Sequence, residues 1–279
     1  MEKKTVLIVG LGLIGGSLAL ALSRHPAYTV VGTDRCLETL EQALDAGAIA
    51  RPADAHNWSE ADVVVLCVSP SAAVSLLSER VGDLRSGTVV TDVCGVKQPL
   101  VSRCEALCRP HGVHFVGAHP MAGKERSGFA HAEATLFRSC SYILTPTADT
   151  PPAAVETVKR LAEAVGAARV TVTTPETHDR MIAYTSQIPH VLAGAYVSSP
   201  QCAEHVGYAA GSYRDVSRVA TIDESLWSEL FLLNREALGA ELDELIANLS
   251  AYRAALAAND REELSSRIRR GRESKEMFG

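Results

Sequence analysis

Val6-Leu7-Ile8-Val9-Gly10-Leu11-Gly12-Leu13-Ile14-Gly15-Gly16-Ser17 is the stretch that decides the fold. Four apolar residues read as a buried strand, and the glycines after them spell G-x-G-x-x-G at the mouth of a helix. Gly10 permits a tight turn, Gly12 lets a pyrophosphate approach the backbone, and Gly15 lets helix and strand pack closely. Leu13 and Ile14 bring the first helical amides and the positive dipole end to the same phosphates. A glycine-rich turn alone is a weak signal, so its context matters. Thr29-Val30-Val31-Gly32 reads as the next strand, and Asp34 ends it 19 residues after Gly15. A carboxylate there accepts the ribose hydroxyls of NAD and repels the 2′-phosphate of NADP. Arg35 argues the other way, because an arginine at that corner can hold a 2′-phosphate.

Outward from this unit, the residues 63–68, 88–90, 113–116, 142–144 and 170–172 form further short apolar runs. Runs without polar alternation are what a parallel sheet covered on both faces requires. Helical patterns lie between them, among them 17–23, 37–46 closed by Gly47, and 155–165 closed by Gly166. Glycine just past a helix end is the expected left-handed cap. Residues 1–172 therefore read as a Rossmann-type doubly wound α/β domain with a mostly parallel sheet. Val68 and Ser69, at the carboxyl end of the first of these runs, join Gly10, Gly12, Leu13, Ile14, Gly15, Asp34 and Arg35 as cofactor-binding candidates.

After Thr174-Pro175 the strand signals stop, and 173–279 reads as an all-helical domain. Residues 177–197 are expected to form one helix kinked by Pro189. Residues 226–258 contain no proline, and a single helix of about 33 residues would span roughly 50 Å. Within it Leu238, Leu242, Leu245, Leu249, Tyr252 and Leu256 are spaced 4, 3, 4, 3 and 4 apart. A period of 3.5 suits helix-on-helix packing, and it fits a core helix and a dimer seam equally well. Asp260 and Glu263 stand at capping-box spacing before a charged terminal helix.

The chain has 279 residues and a net charge of −6. A net negative protein repels phosphate backbones and anionic lipids at long range, which argues against nucleic acid or a membrane as partner. No apolar run reaches the roughly 18 residues of a spanning helix. Seven cysteines include no C-x-x-C pair. Cys104 and Cys108 lie one helical turn apart without a histidine at ligand spacing, so no metal is expected and a reducing cytoplasm fits best.

Gly117-Ala118-His119-Pro120-Met121-Ala122-Gly123-Lys124-Glu125 follows a strand, which puts His119 at the crevice where ligands of open α/β sheets bind. A histidine suits removal of a proton as hydride leaves the same carbon. From position alone, a structural histidine is as good a reading. Ser186 and His190 share one helical face beside Pro189. Arg218, with Asp215 or a neighbour to orient it, can grip a carboxylate at two points. His25, His56, His111, His131, His178 and His205 show no pattern and are read as surface or packing residues.

These elements, with Thr91-Asp92-Val93-x-x-Val96-Lys97, Ser186-x-x-Pro189-His190 and Asp215-x-x-Arg218-Val219-Ala220, occur in an order that resembles the prephenate dehydrogenases, the TyrA family of tyrosine biosynthesis. The resemblance covers nearly the whole chain and implies a dimer formed by the helical domain. It implies oxidative decarboxylation of prephenate to 4-hydroxyphenylpyruvate with NAD, His119 taking the hydroxyl proton and Arg218 holding a substrate carboxylate. By the same resemblance Ser186, His190 and Glu125 surround the substrate or its channel, with His190 grouped with His119 as catalytic. An acidic chain must attract a dianionic substrate locally, which points to Arg218 and Lys124.

Two departures stand out. Family members often carry serine where Gly95 stands, and that serine hydrogen-bonds the substrate hydroxyl and the catalytic histidine. Here the orienting bond must come from water, the backbone or elsewhere. Gln187 stands where the family often has histidine. Arogenate dehydrogenase remains open, since the two substrates differ only by amine versus keto on the side chain. Outside this chemistry stand a 3-hydroxyacid dehydrogenase, which usually relies on a helix-borne lysine, and a non-catalytic dinucleotide-sensing module.

Overall fold

A computed structural model describes residues 3–124 and 126–278, and of Ala55 and His56 only the backbone. The first half alternates strand and helix: β1 Lys4–Val9, α1 Leu13–Leu22, β2 Tyr28–Thr33, α2 Leu37–Asp45, β3 Arg51–Pro52, α3 Ala55–Glu60, β4 Val63–Leu66 and α4 Pro70–Arg80. It continues through β5 Val89–Asp92, α5 Gln98–Cys108, β6 His114–Pro120, β7 Ser141–Thr145, α6 Pro152–Ala164 and β8 Arg169–Val172. The sheet order is β3-β2-β1-β4-β5-β6-β7-β8. The order reverses between β1 and β4, and an open sheet has its crevice at such a switch point.

Successive residues of β1 face opposite sides, and both sides are covered. Val6 and Ile8 pack with Leu18, Leu22, Phe137, Val158 and Leu161. Leu7 and Val9 pack with Leu77, Leu100, Val101 and Phe115 on the other face. This two-sided burial is why the strands read as unbroken apolar runs. β3 escapes that reading because it is two exposed residues long. One pair breaks the parallel pattern: β6 and β7 run antiparallel, Gly117 opposite Thr145. Among the described residues the connection between them holds short turns, one at Phe129–His131, and no crossover helix, and the chain returns antiparallel.

The second half is helical: α7 Pro175–Ile182, α8 Ile188–Val197, α9 Gly211–Ser217, α10 Glu224–Leu233, α11 Arg235–Ala257 and α12 Arg261–Phe278. The kink expected at Pro189 takes the form of a π-helical turn, Ala183–Gln187, joining α7 to α8. Proline lacks the amide and crowds the carbonyl one turn back, and a wider turn relieves both. The single long helix expected over 226–258 is corrected to two, α10 and α11, parted at Asn234. Asn234 is buried, and its amide donates to the Asp179 carbonyl at 2.9 Å and to Gln187 Oε1 at 2.7 Å. These tertiary bonds hold it at φ −113° and ψ 23°, out of helical geometry. The apolar stripe divides as well: Leu238 is buried, whereas Leu249 and Leu256 are 53% and 65% exposed. Asp260 accepts the Glu263 amide at 3.0 Å and so caps α12.

Candidate active site

The glycine loop between β1 and α1 is shaped for an anion. Gly10 has φ +91°, and a Cβ there would come within 2.5 Å of the Cys67 carbonyl oxygen. A Cβ on Gly15 would come within 1.9 Å of the Gly10 oxygen, so both positions demand glycine. Gly12 has nothing within 4 Å of its would-be Cβ, leaving the mouth of α1 open, and no side chain caps that helix. Leu13 and Ile14 follow as its first residues, their amides facing outward from the sheet edge as helix N-termini do. Asp34, just past β2, accepts the Leu11 amide at 2.7 Å and the Cys36 amide at 2.9 Å. Each carboxylate oxygen keeps a second lone pair for a ligand. Arg35 beside it is exposed. Open loop, uncapped amides and acceptor carboxylate together suit a dinucleotide with free ribose hydroxyls.

Val68 and Ser69 lie beyond β4, where Ser69 precedes α4. The Ser71 amide of α4 donates to Glu229 of α10 at 2.6 Å, so the helical half is tied to the cofactor side of the crevice. Cys94 Sγ lies 3.4 Å from the Val68 oxygen.

His119 sits on β6 near its carboxyl end. Beneath it, Lys97 and Asp92 are both fully buried, and Lys97 Nζ is bonded to Asp92 Oδ2. Lys97 also donates to the Ala118 carbonyl at 2.7 Å, while Asp92 accepts the amides of Cys94 at 2.8 Å and Ala118 at 3.0 Å. A buried ion pair requires such additional bonds to offset desolvation. The His119 ring meets His178 of α7, Nδ1 to Nε2 at 2.9 Å. His178 Nδ1 in turn lies 2.7 Å from Asp179 Oδ1. Asp179 accepts the backbone amides of Lys97 at 2.7 Å and Gln98 at 2.8 Å. Burial first, then the proximity of His178 and the Lys97 charge, push the His119 imidazolium well below its ordinary range. Burial lowers His178 too, against the opposing pull of Asp179.

The helical half contributes the π-helical turn and α8. Ser186 stands on the turn, and its carbonyl lies 2.7 Å from His190 Nδ1. The His190 ring lies against Trp227 of α10, tilted by 32° with centroids 3.8 Å apart, and Trp227 meets Phe231 edge-on at 5.5 Å. Gln187 is directed away from this face: buried, it bridges Asn234 and the Leu230 carbonyl, 3.4 Å away. Arg218 opens a short turn, Arg218–Ala220, that packs against α8, and its side chain is exposed. Lys124 pairs with Glu133 at 2.6 Å and donates to the His131 carbonyl at 3.2 Å. Glu125 lies outside the described residues.

Three participants escaped the sequence reading. His178 and Asp179 approach His119 only through the docking of α7 on the sheet, and Trp227 approaches His190 only through the packing of α10. His178 shows no spacing relation to any other candidate, but the adjacent His178-Asp179 pair just after a strong helix start was a signal available in the sequence.

Comparison with known proteins agrees with this arrangement. The sequence matches the family models "Prephenate dehydrogenase, nucleotide-binding domain" over residues 18–171 and "Prephenate dehydrogenase, dimerization domain" over residues 174–270. It is 34% identical to the prephenate dehydrogenase of Bacillus subtilis over 271 residues, 94% of this chain and 72% of that protein. The Aquifex aeolicus prephenate dehydrogenase, solved with hydroxyphenyl propionate and NAD+, superposes with a TM-score of 0.89 at 28% identity, covering 100% of this chain and 99% of that one. The Synechocystis arogenate dehydrogenase superposes at 0.83 with 25% identity, covering 99% and 100%. With a family match across both halves and a relative this similar over nearly its full length, the chain belongs to the prephenate dehydrogenase family.

Proposed function

We propose that this chain is an NAD-dependent prephenate dehydrogenase acting as a cytoplasmic homodimer, with His119 as its base. The observation that carries the base assignment is the His119 ring itself. It stands at the carboxyl end of β6, at the edge of the crevice, bonded from behind and held neutral by burial. Bound NAD supplies a hydride acceptor. The carbon that bears the substrate hydroxyl gives up its hydride as His119 takes the hydroxyl proton, and His119 returns that proton to the phenolate oxygen once the ring is aromatic. The ring carboxylate leaves as carbon dioxide, its bonding pair completing the aromatic ring.

Arg218 is the candidate grip for a substrate carboxylate, and Ser186 and His190 line the same face of the helical half. His190 is held by the Ser186 carbonyl and the Trp227 ring, which suits orienting substrate better than transferring a proton. Lys124 shares its charge with Glu133, and Arg218 is exposed to an incoming carboxylate. Gly10, Gly12, Leu13, Ile14, Gly15, Val68 and Ser69 would cradle the dinucleotide and Asp34 its ribose. The open face at Ile246, Leu249 and Leu256 of α11 supports a second copy of the chain as partner. Cys104 and Cys108, neighbours on α5 and both free thiols, suit a reducing compartment.

Arogenate is the second reading, favoured by the likeness to an arogenate dehydrogenase structure. The test is purified protein with NAD or NADP against prephenate or arogenate, followed by absorbance of the reduced cofactor. Reduction of NAD by prephenate is expected, and reduction with none of the four pairs overturns the reading. His119→Asn should lower turnover by about 10²–10⁴-fold while NAD still binds; undiminished turnover removes His119 as the base.

A further inference from the structure

A histidine that takes a proton at one ring nitrogen must carry its existing proton on the other. Nothing in an isolated imidazole enforces that choice, so a neighbour has to. Behind His119 a chain of bonds does so. Asp179 accepts two backbone amides, from Lys97 and Gln98, so its carboxylate is an acceptor on both oxygens. The nearest His178 nitrogen, Nδ1 at 2.7 Å, must then carry a proton. His178 is buried and uncharged, so its Nε2 bears a lone pair and can only accept. His119 Nδ1, 2.9 Å away, is left as the donor, and its own lone pair falls on Nε2.

We propose that His178 and Asp179 are a positioning pair that fixes His119 in the tautomer with its lone pair on Nε2, set toward the hydroxyl whose proton it removes. The proposal rests on His119 being the base. It assigns the pair no contact with substrate, because His178 and Asp179 are buried beneath the site. Nothing around position 95 requires its glycine. A Cβ there would lie 4.0 Å from His119 Cε1 and 3.5 Å from Leu230 Cδ1, so there is room for a side chain on that side of the ring. The ring is instead oriented from behind. When His119 becomes an imidazolium, the same chain offers it a neutral acceptor backed by a carboxylate, the arrangement that stabilises a transient positive charge in a dry site. Among the described residues, the nearby charges of Lys97 and Asp92 are bonded to each other.

The test uses the full chain labelled with ¹⁵N in its histidines. Long-range ¹H–¹⁵N spectra distinguish a protonated ring nitrogen from one bearing a lone pair, and His119→Asn identifies the His119 signals by their loss. His119 is expected to show a protonated Nδ1 and a bare Nε2. His178→Leu should let the proton redistribute and lower kcat on the order of 100-fold, with KM and NAD affinity within about twofold. His178→Gln places a carbonyl oxygen near the lost Nε2 and should recover at least about tenfold of kcat. A wild-type spectrum with the proton on Nε2 overturns the proposal, as does a folded His178→Leu with undiminished kcat. If the leucine variant does not fold, the wild-type spectrum and the glutamine variant decide. Turnover persisting in His119→Asn would instead remove the base assignment, and the tautomer spectrum separates the two failures.

Discussion

On the sheet side of the crevice, Lys97, Asp92, His178 and Asp179 are buried and bonded to one another or to backbone. On the helical side, Arg218 is exposed, and His190 is half-buried, bonded to the Ser186 carbonyl and packed against Trp227. The contrast separates two tasks. In the proposed function, the groups that position the base need one geometry, and burial with complete bonding supplies it, because an unbonded buried polar group is costly. A group that captures a charged ligand must remain reachable, so it contributes to affinity and little to folding.

The sharpest way to break this comparison is Lys97→Met, which leaves Asp92 buried with only the Cys94 and Ala118 amides. Urea unfolding should show a loss of about 3–5 kcal/mol. A variant with wild-type stability would mean that the buried wall is not held by its ion pair. Arg218→Ala should have the opposite profile. KM for prephenate is expected to rise about 10- to 100-fold, as for a lost charged hydrogen bond, with the urea midpoint unmoved. If stability fell instead and KM held, Arg218 would belong to the scaffold and not to the grip.

The gentlest test uses pH alone. His119 and His178 have folded-state pKa values below the ordinary histidine value of about 6.5. Above that value both are neutral in folded and unfolded chains and contribute no pH dependence. Below it the unfolded chain binds protons that the folded one refuses, so stability falls with falling pH until the depressed folded values are reached. The slope is up to about 1.4 kcal/mol per pH unit for each histidine. Unfolding midpoints measured at pH 7 and pH 5.5 should differ accordingly, and equal midpoints would mean that the pair is not held neutral. By the same shift, kcat/KM should stay on its plateau below pH 6.5, because the base stays deprotonated.

Legibility in the sequence followed the range of the forces involved. The apolar strands other than β3, the glycine turn and the left-handed Gly47 and Gly166 caps rest on local rules, and the structure shows each close to where the sequence puts it. Where tertiary bonds override local preference the reading missed. Asn234 parts a helix that propensity alone would continue, because its amide has two buried acceptors to satisfy. The Leu238–Leu256 stripe has perfect spacing, yet spacing cannot say which half is covered within one chain. His178 looked ordinary because its partners are His119, 59 positions away in sequence, and an Asp179 tied to the start of α5.

What the sequence determined by itself is the class of fold and the chemical kit: a dinucleotide loop, a histidine at a strand end, an arginine on a helical half. These are set by glycine stereochemistry, by apolar periodicity and by residue type, all of which act over a few residues. Only the tertiary structure decided which nitrogen of His119 is turned toward the crevice, what lies behind it, and which charges are buried and which stay in reach. Those depend on α7 and α10 docking against the sheet, where desolvation makes each unmet hydrogen bond expensive and so selects one arrangement of side chains from many.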